Sequence, residues 1–192
     1  MPFDRPARRI PLAAALAGLM AALPVLPVPV AAQSADAPEA VAPGRLTAGA
    51  RFGAWTLACE AIAVGETACV LTQRLRRSSD NAFLADLMLF WDGTLEQAWL
   101  AARVPTGVYF PDGFTVLAEG EATGTQLVWQ ACSPELCEAA LPLDFAALQE
   151  LEEAEALRAV FRPAVTAEPL AFRISLEGGR AGLEALAEAL SR

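Results

Sequence analysis

The stretch Trp55 to Gln73 constrains this chain more than any other. It reads W-T-L-A-C-E-A-I-A-V-G-E-T-A-C-V-L-T-Q. Two runs of mixed apolar and small polar residues, Trp55 to Cys59 and Cys69 to Gln73, flank a segment containing Gly65. That is the pattern of strand, turn and strand, with a cysteine where each strand meets the loop. Such a hairpin points to a disulfide-stapled β domain, and persistent disulfides require an oxidising compartment. The pattern names a scaffold and a compartment, not a reaction.

The N-terminus agrees with that compartment. Arg5, Arg8 and Arg9 precede Ile10 to Val30, a run without charges, and Val30-Ala31-Ala32 places small or tolerated residues where a signal peptidase reads. Residues 1–32 are therefore expected to be a secretory signal peptide cleaved before Gln33. A retained anchor is the competing reading, because the run approaches the length of a membrane span. Pro24, Pro27 and Pro29 crowd its second half and would break a helix there. Loss of this segment removes Asp4 and three arginines, a net +2, so the remainder falls from −9 to −11. That charge opposes binding to nucleic acid or to an anionic membrane surface. No later stretch is apolar enough to cross a bilayer. Residues 33–48, rich in Ala, Pro and small polar residues, read as a flexible leader, and residues 49–192 as one β domain.

Along that domain, Phe83 to Trp91 and Ala98 to Val104 read as strands joined through Asp92-Gly93. Val108 to Phe110 is a short extended piece between the turns made by Pro105, Gly107, Pro111 and Gly113. Phe114 to Ala118, Gln126 to Cys132, Glu138 to Leu143, Ala159 to Arg162 and Leu170 to Leu176 supply further strands. Asp144 is the expected N-cap of a helix over Phe145 to Arg158, and a second amphipathic helix carries Leu183, Leu186 and Leu190. About nine short strands with one or two peripheral helices make an all-β fold, an antiparallel β-sandwich or partly open barrel.

Four cysteines allow three connectivities, and the sequence does not choose among them. Each pair nevertheless flanks its own hairpin turn, so Cys59 with Cys69 and Cys132 with Cys137 is the expected pairing. The closed loops correspond to about 3 and about 2 kcal/mol of loop entropy. Neither pair is C-x-x-C, and the chain contains no histidine to complete a mixed zinc site. The lack of histidine also excludes His-based catalytic triads. No phosphate- or dinucleotide-binding glycine motif occurs, so no cofactor is expected.

Carboxylates remain. Asp86 interrupts an otherwise apolar strand, where a buried acid can act catalytically; the plainer reading is a solvent-facing acid or one paired with an arginine such as Arg103. Asp92 and Asp112 each precede glycine and read as turn residues. The acidic stretch Gln149 to Glu155 reads as a solvated helix face in preference to a calcium site. Trp55, Trp91, Trp99 and Trp129 each lie in an expected strand, which favours core packing over a carbohydrate platform.

Two function classes follow. In the first, the protein is a non-enzymatic module that contacts a protein or cell-envelope component through Tyr109 and Phe110, held between two rigidifying turns. The competing role for these aromatics is to plug the core. In the second, Asp86 and Asp112 converge in one cleft as a hydrolase of envelope glycan.

The same residues together resemble the invasion-associated locus B (IalB) family of exported bacterial proteins. The resemblance rests on F-G-x-W-x-x-x-C (Phe52 to Cys59), C-x-x-x-Q (Cys69 to Gln73) and P-x-G-x-x-x-P-x-G (Pro105 to Gly113). It continues with the close pair Cys132 and Cys137 leading to A-x-L-P-L-D (Ala139 to Asp144). It spans most of Arg51 to Leu190. The resemblance implies an envelope role in the periplasm or at the cell surface and no established catalytic residues. The aromatic pair Phe90-Trp91 and the Ala/Glu-rich helix depart from the family pattern.

Intact-mass measurement of protein from a periplasmic fraction is expected to give a chain beginning at Gln33. Recovery of the full-length chain only in detergent would establish a retained anchor instead.

Overall fold

A computed structural model describes residues 46–191 except 155. The expected signal peptide and the leader up to residue 45 lie outside the described residues. The strands are β1 (Arg51–Phe52), β2 (Trp55–Ala63), β3 (Glu66–Arg76), β4 (Phe83–Trp91), β5 (Ala98–Pro105), β6 (Phe114–Ala118), β7 (Thr125–Cys132), β8 (Leu136–Leu143), β9 (Leu157–Phe161) and β10 (Leu170–Ile174). The helices are α1 (Phe145–Glu153) and α2 (Gly179–Leu190).

All ten strands belong to one sheet, in the order β1-β2-β3-β4-β5-β8-β7-β6-β9-β10. Every pairing is antiparallel. The sheet turns back on itself through β7. Its first residues, Thr125 to Leu127, pair with β6; Val128 to Cys132 pair with β8 across a bulge, and bulges bend a strand. One apolar cluster then joins Trp55, Leu57 and Leu71 of one half to Phe114, Leu127 and Phe161 of the other. The result is an all-β, sandwich-like fold that does not close, with β1 and β10 at its edges. The strand beyond the expected nine is β1, too short to show a period of its own.

The first hairpin departs from expectation in one respect. Its strands run on past the cysteines to Ala63 and from Glu66, so Cys59 and Cys69 face each other in mid-ladder. Gly65, at φ 81°, lets Val64-Gly65 close the hairpin by themselves. The structure bridges Cys59 to Cys69 and Cys132 to Cys137, and the second pair also faces directly across a ladder, β7 to β8.

Other expectations need correction. The turn that Asp92-Gly93 opens runs on to Gln97 before β5 begins. The Asp92 carboxylate accepts hydrogen bonds from Thr94 Oγ1 (2.9 Å) and from the backbone N–H groups of Thr94, Glu96 and Gln97. Desolvation pushes this carboxyl up, but those donors outweigh it and hold it below the usual carboxylate range. Leu95, not Gly93, takes the positive φ of 60°. Helix α1 stops at Glu153 rather than Arg158, because Leu157, Ala159 and Phe161 bury on a period of two and enter the sheet as β9. Asp144 does cap it, accepting from Ala147 N–H at 2.7 Å. Phe110 begins a 3-10 turn, Phe110–Asp112, in place of the end of an extended piece.

The C-terminal segment is fastened to the first hairpin. Trp55 Nε1 donates to Leu176 O (3.2 Å), Gln73 Nε2 to Ser175 O (2.9 Å), and Ala54 N–H to Glu177 O (3.0 Å). Gly53 (φ 54°) and Gly178 (φ 82°) meet there backbone to backbone. A Cβ on Gly178 would lie 2.5 Å from the Phe52 carbonyl. Farther along α2, Trp91 Nε1 donates to Leu183 O (2.9 Å).

Gly178→Ala is expected to lower stability by about 2–4 kcal/mol, combining the left-handed cost with the clash. Gly65→Ala has no neighbour in the way and is expected to cost only about 1–2 kcal/mol. Urea unfolding of the two variants checks this. Equal losses would show that the close backbone approach contributes nothing.

Candidate functional site

The segment from Pro105 to Gly113 leaves β5 and returns as β6 on the other half of the fold. Its apolar anchor is Val108, which is buried. Neither aromatic beside it fills the core: Tyr109 is half-buried, and Phe110 is 55% exposed. The core-plug reading of these two residues is therefore corrected, and Val108 takes that role. The smaller β-branched side chain fits under a loop whose next residues must turn outward.

The loop is held from outside by Arg162, just beyond β9. The Arg162 carbonyl accepts the Tyr109 N–H at 2.9 Å. Its Nε donates to Asp112 Oδ2 at 2.6 Å, and its guanidinium lies 5.6 Å from the Tyr109 ring centroid, within cation–π range. The hydrogen bond to Asp112 raises the Arg162 pKa above its already high value, against the opposing pull of desolvation. From the other side, Gln126 Nε2 donates to Asp112 O at 2.9 Å, and Gly113 N–H closes the 3-10 turn on Phe110 O. A short loop is thus fixed at both ends and in its middle.

Phe110 leans on Trp129, with ring centroids 6.2 Å apart. Trp129 in turn contacts Phe114 and Phe161 edge-on, so the exposed ring stands at the end of an aromatic column that runs into the core. The Trp129 indole N–H is buried without a hydrogen-bond partner. Sequence reasoning missed Arg162, which is fifty residues from Asp112 and belongs to no motif.

The other named residues lie apart. Asp86 is nearly buried on β4, and its Oδ2 accepts from Arg74 Nη2 at 2.7 Å. Arg103, the partner expected for it, instead donates to Glu138 at 2.7 Å. Asp112 belongs to Arg162. The two acids share no partner and sit on different elements, each bonded to its own arginine. The four tryptophans do not form one platform either: Trp55, Trp91 and Trp129 belong to the main core, whereas Trp99 packs on the outer face with Met88. On the acidic helix, Glu152 Oε1 accepts the Arg180 N–H at the start of α2 (2.9 Å). Among the described residues, no group of three or more His, Cys, Asp or Glu could hold a metal, and no helix is long and apolar enough to cross a membrane.

A twice-stapled, unclosed antiparallel sandwich that presents a clamped aromatic loop defines a scaffold class. The model for invasion associated locus B (IalB) protein matches residues 55–187, and the chain belongs to that family. Among solved structures, the fold is similar to the crystal structure of invasion associated protein B from Bartonella henselae. The two share 17% sequence identity with a TM-score of 0.57, over 73% of this chain and 95% of that one. No curated protein matches in sequence.

Replacing Arg162 by alanine is expected to free the loop while leaving the sheet intact. Hydrogen exchange at the Tyr109 and Gly113 amides should then quicken several-fold, with amides in β4 and β5 unchanged. Unchanged loop exchange would show that the Arg162 side chain is not what holds the loop.

Proposed function

We propose that this protein is an exported, non-enzymatic binding module of the bacterial envelope, in the periplasm or at the cell surface. It takes a protein or cell-envelope component on the 105–113 loop, with Phe110 as the main contact and Tyr109 beside it. The observation that carries the reading is the placement of Phe110. A large aromatic is held 55% exposed on a loop braced by Arg162, Asp112 and Gln126. Folding gains little from such a ring, whereas a partner gains a rigid aromatic anchor at small entropic cost. Two disulfides and membership of the IalB family support the exported location.

Affinity capture from envelope extracts, with wild type and Phe110→Ala compared side by side, tests the reading. The captured component is expected to bind the variant at least about tenfold more weakly, as for a central aromatic contact, with the thermal midpoint nearly unchanged. A component retained fully by Tyr109→Ala/Phe110→Ala would remove the loop from the account. Glycan hydrolysis that disappears in Asp86→Asn would replace the binding reading with an enzymatic one.

A further inference from the structure

Where the sheet fails to close, it leaves a slit between two unpaired strand edges. The ladder of β2 with β3 ends at the pair Thr56 and Thr72, so among the described residues the same edge of β3 has no ladder partner from Gln73 to Arg76. On the other side, β10 pairs with β9, and its second edge has no ladder partner among the described residues. The Gln73 side chain joins the two edges at one point, donating to Ser175 O at 2.9 Å. Beyond that bond they border a cavity of about 300 Å³, walled by Leu75 to Ser78 on one side and Leu170 to Arg173 on the other, with Leu84.

The slit is open and amphipathic. Leu75, Leu170 and Phe172 pack against the core from it yet stay only half-buried, as does Leu84 beside them. Arg76, Arg77 and Arg173 also line it, and all three are exposed. Arg76 donates to a neutral acceptor, Asn81 O, and has no carboxylate partner among the described residues. Arg77 pairs with Asp80, and Arg173, its side chain 82% exposed, reaches Glu119 at 3.3 Å. Pairs as exposed as these hold weakly, and a guanidinium has five N–H donors to offer. On a chain of net charge −9, this basic mouth runs against the overall sign.

We propose that the slit is a strand-addition site, and that its occupant is an extended segment of a partner protein in which acidic residues alternate with apolar ones. An added strand bonds to the free backbone groups of β10. Side chains along a strand alternate between faces, so every second one enters the slit against Leu75, Leu170 and Phe172, while those between meet the arginines. Leu170 to Arg173 offer about 13 Å of edge at about 3.3 Å per residue, which suits a short linear segment. A free edge with half-buried apolar side chains beside it is a template for pairing, and the arginines select an acidic strand for it. None of the residues that line the slit belongs to the 105–113 loop, so this surface is separate from the aromatic contact.

The probes are synthetic peptides of about seven residues, a full strand length, that alternate Val, Ile or Leu with Asp or Glu; a matched set carries Lys in place of the acids. Members of the acidic set are expected to bind the purified chain and to slow hydrogen exchange at alternate amides of β10, with β4 and β5 unchanged. Arg76→Glu/Arg173→Glu should weaken that binding at least about tenfold. Its thermal midpoint should stay nearly unchanged, since both side chains are exposed. Phe110→Ala should bind the peptide as the wild type does. An acidic set without a single binder would overturn the proposal, as would equal binding of the Lys set or binding indifferent to the charge reversal. Loss of binding in Phe110→Ala would move the peptide to the loop and overturn it too. Dodecanoate that protects the slit while the peptides leave β10 unprotected would assign the site to an acyl chain instead.

Discussion

The structure depends on one close approach, where Gly53 and Gly178 meet without side chains between them. Only at that separation can Trp55, Ala54 and Gln73 reach the carbonyls of Leu176, Glu177 and Ser175. These bonds satisfy buried polar groups that would otherwise cost about 1–3 kcal/mol each. They also join the two ends of the described sheet, which share no ladder. The first hairpin and the C-terminal segment are thereby fastened together, and α2 lies against Leu71 and Leu89. The spacing F-G-x-W together with C-x-x-x-Q consequently has a mechanical meaning: the glycine permits the approach, and the tryptophan and glutamine use it.

With its ends fastened, the sheet can spend its central strands on two faces. The inner face of β4 is core, and the outer face combines an ion-pair rung with apolar rungs. The Arg74–Asp86 and Arg103–Glu138 pairs, both at 2.7 Å, neutralise charges within one sheet surface. The more exposed Arg103–Glu138 pair contributes only about 0–1 kcal/mol, whereas Arg74 also supplies the partner that a nearly buried carboxylate, Asp86, requires.

The candidate loop works by a different division of labour. Val108 supplies burial, Arg162 and Asp112 supply fixed geometry, and Phe110 is left over for contact. The aromatic column behind Phe110 makes the exposed ring continuous with the core, which limits its freedom without hiding it. A rigid scaffold carrying such a loop is a usual physical arrangement for presenting functional residues, and it is the one the proposed binding role uses.

The residue pattern by itself determined the elements whose signals are local. The stapled hairpin, the alternation of the strands, the Asp144 cap and the all-β class depend on neighbours a few positions apart, and periodicity reports such neighbours directly. Leu157 suits a helical face as well as a strand, so periodicity alone carries α1 too far; pairing with β6 and β10 decides for the strand. Asp86 shows the limit most clearly. In an antiparallel sheet it has a basic neighbour on either side, Arg74 and Arg103, and strand composition is silent on which one it bonds. The same holds for Tyr109 and Phe110, whose exposure was settled by an arginine fifty residues from Asp112. Only the folded chain brings such residues together, because long-range contacts arise from sheet order and register, and neither is written in any single stretch.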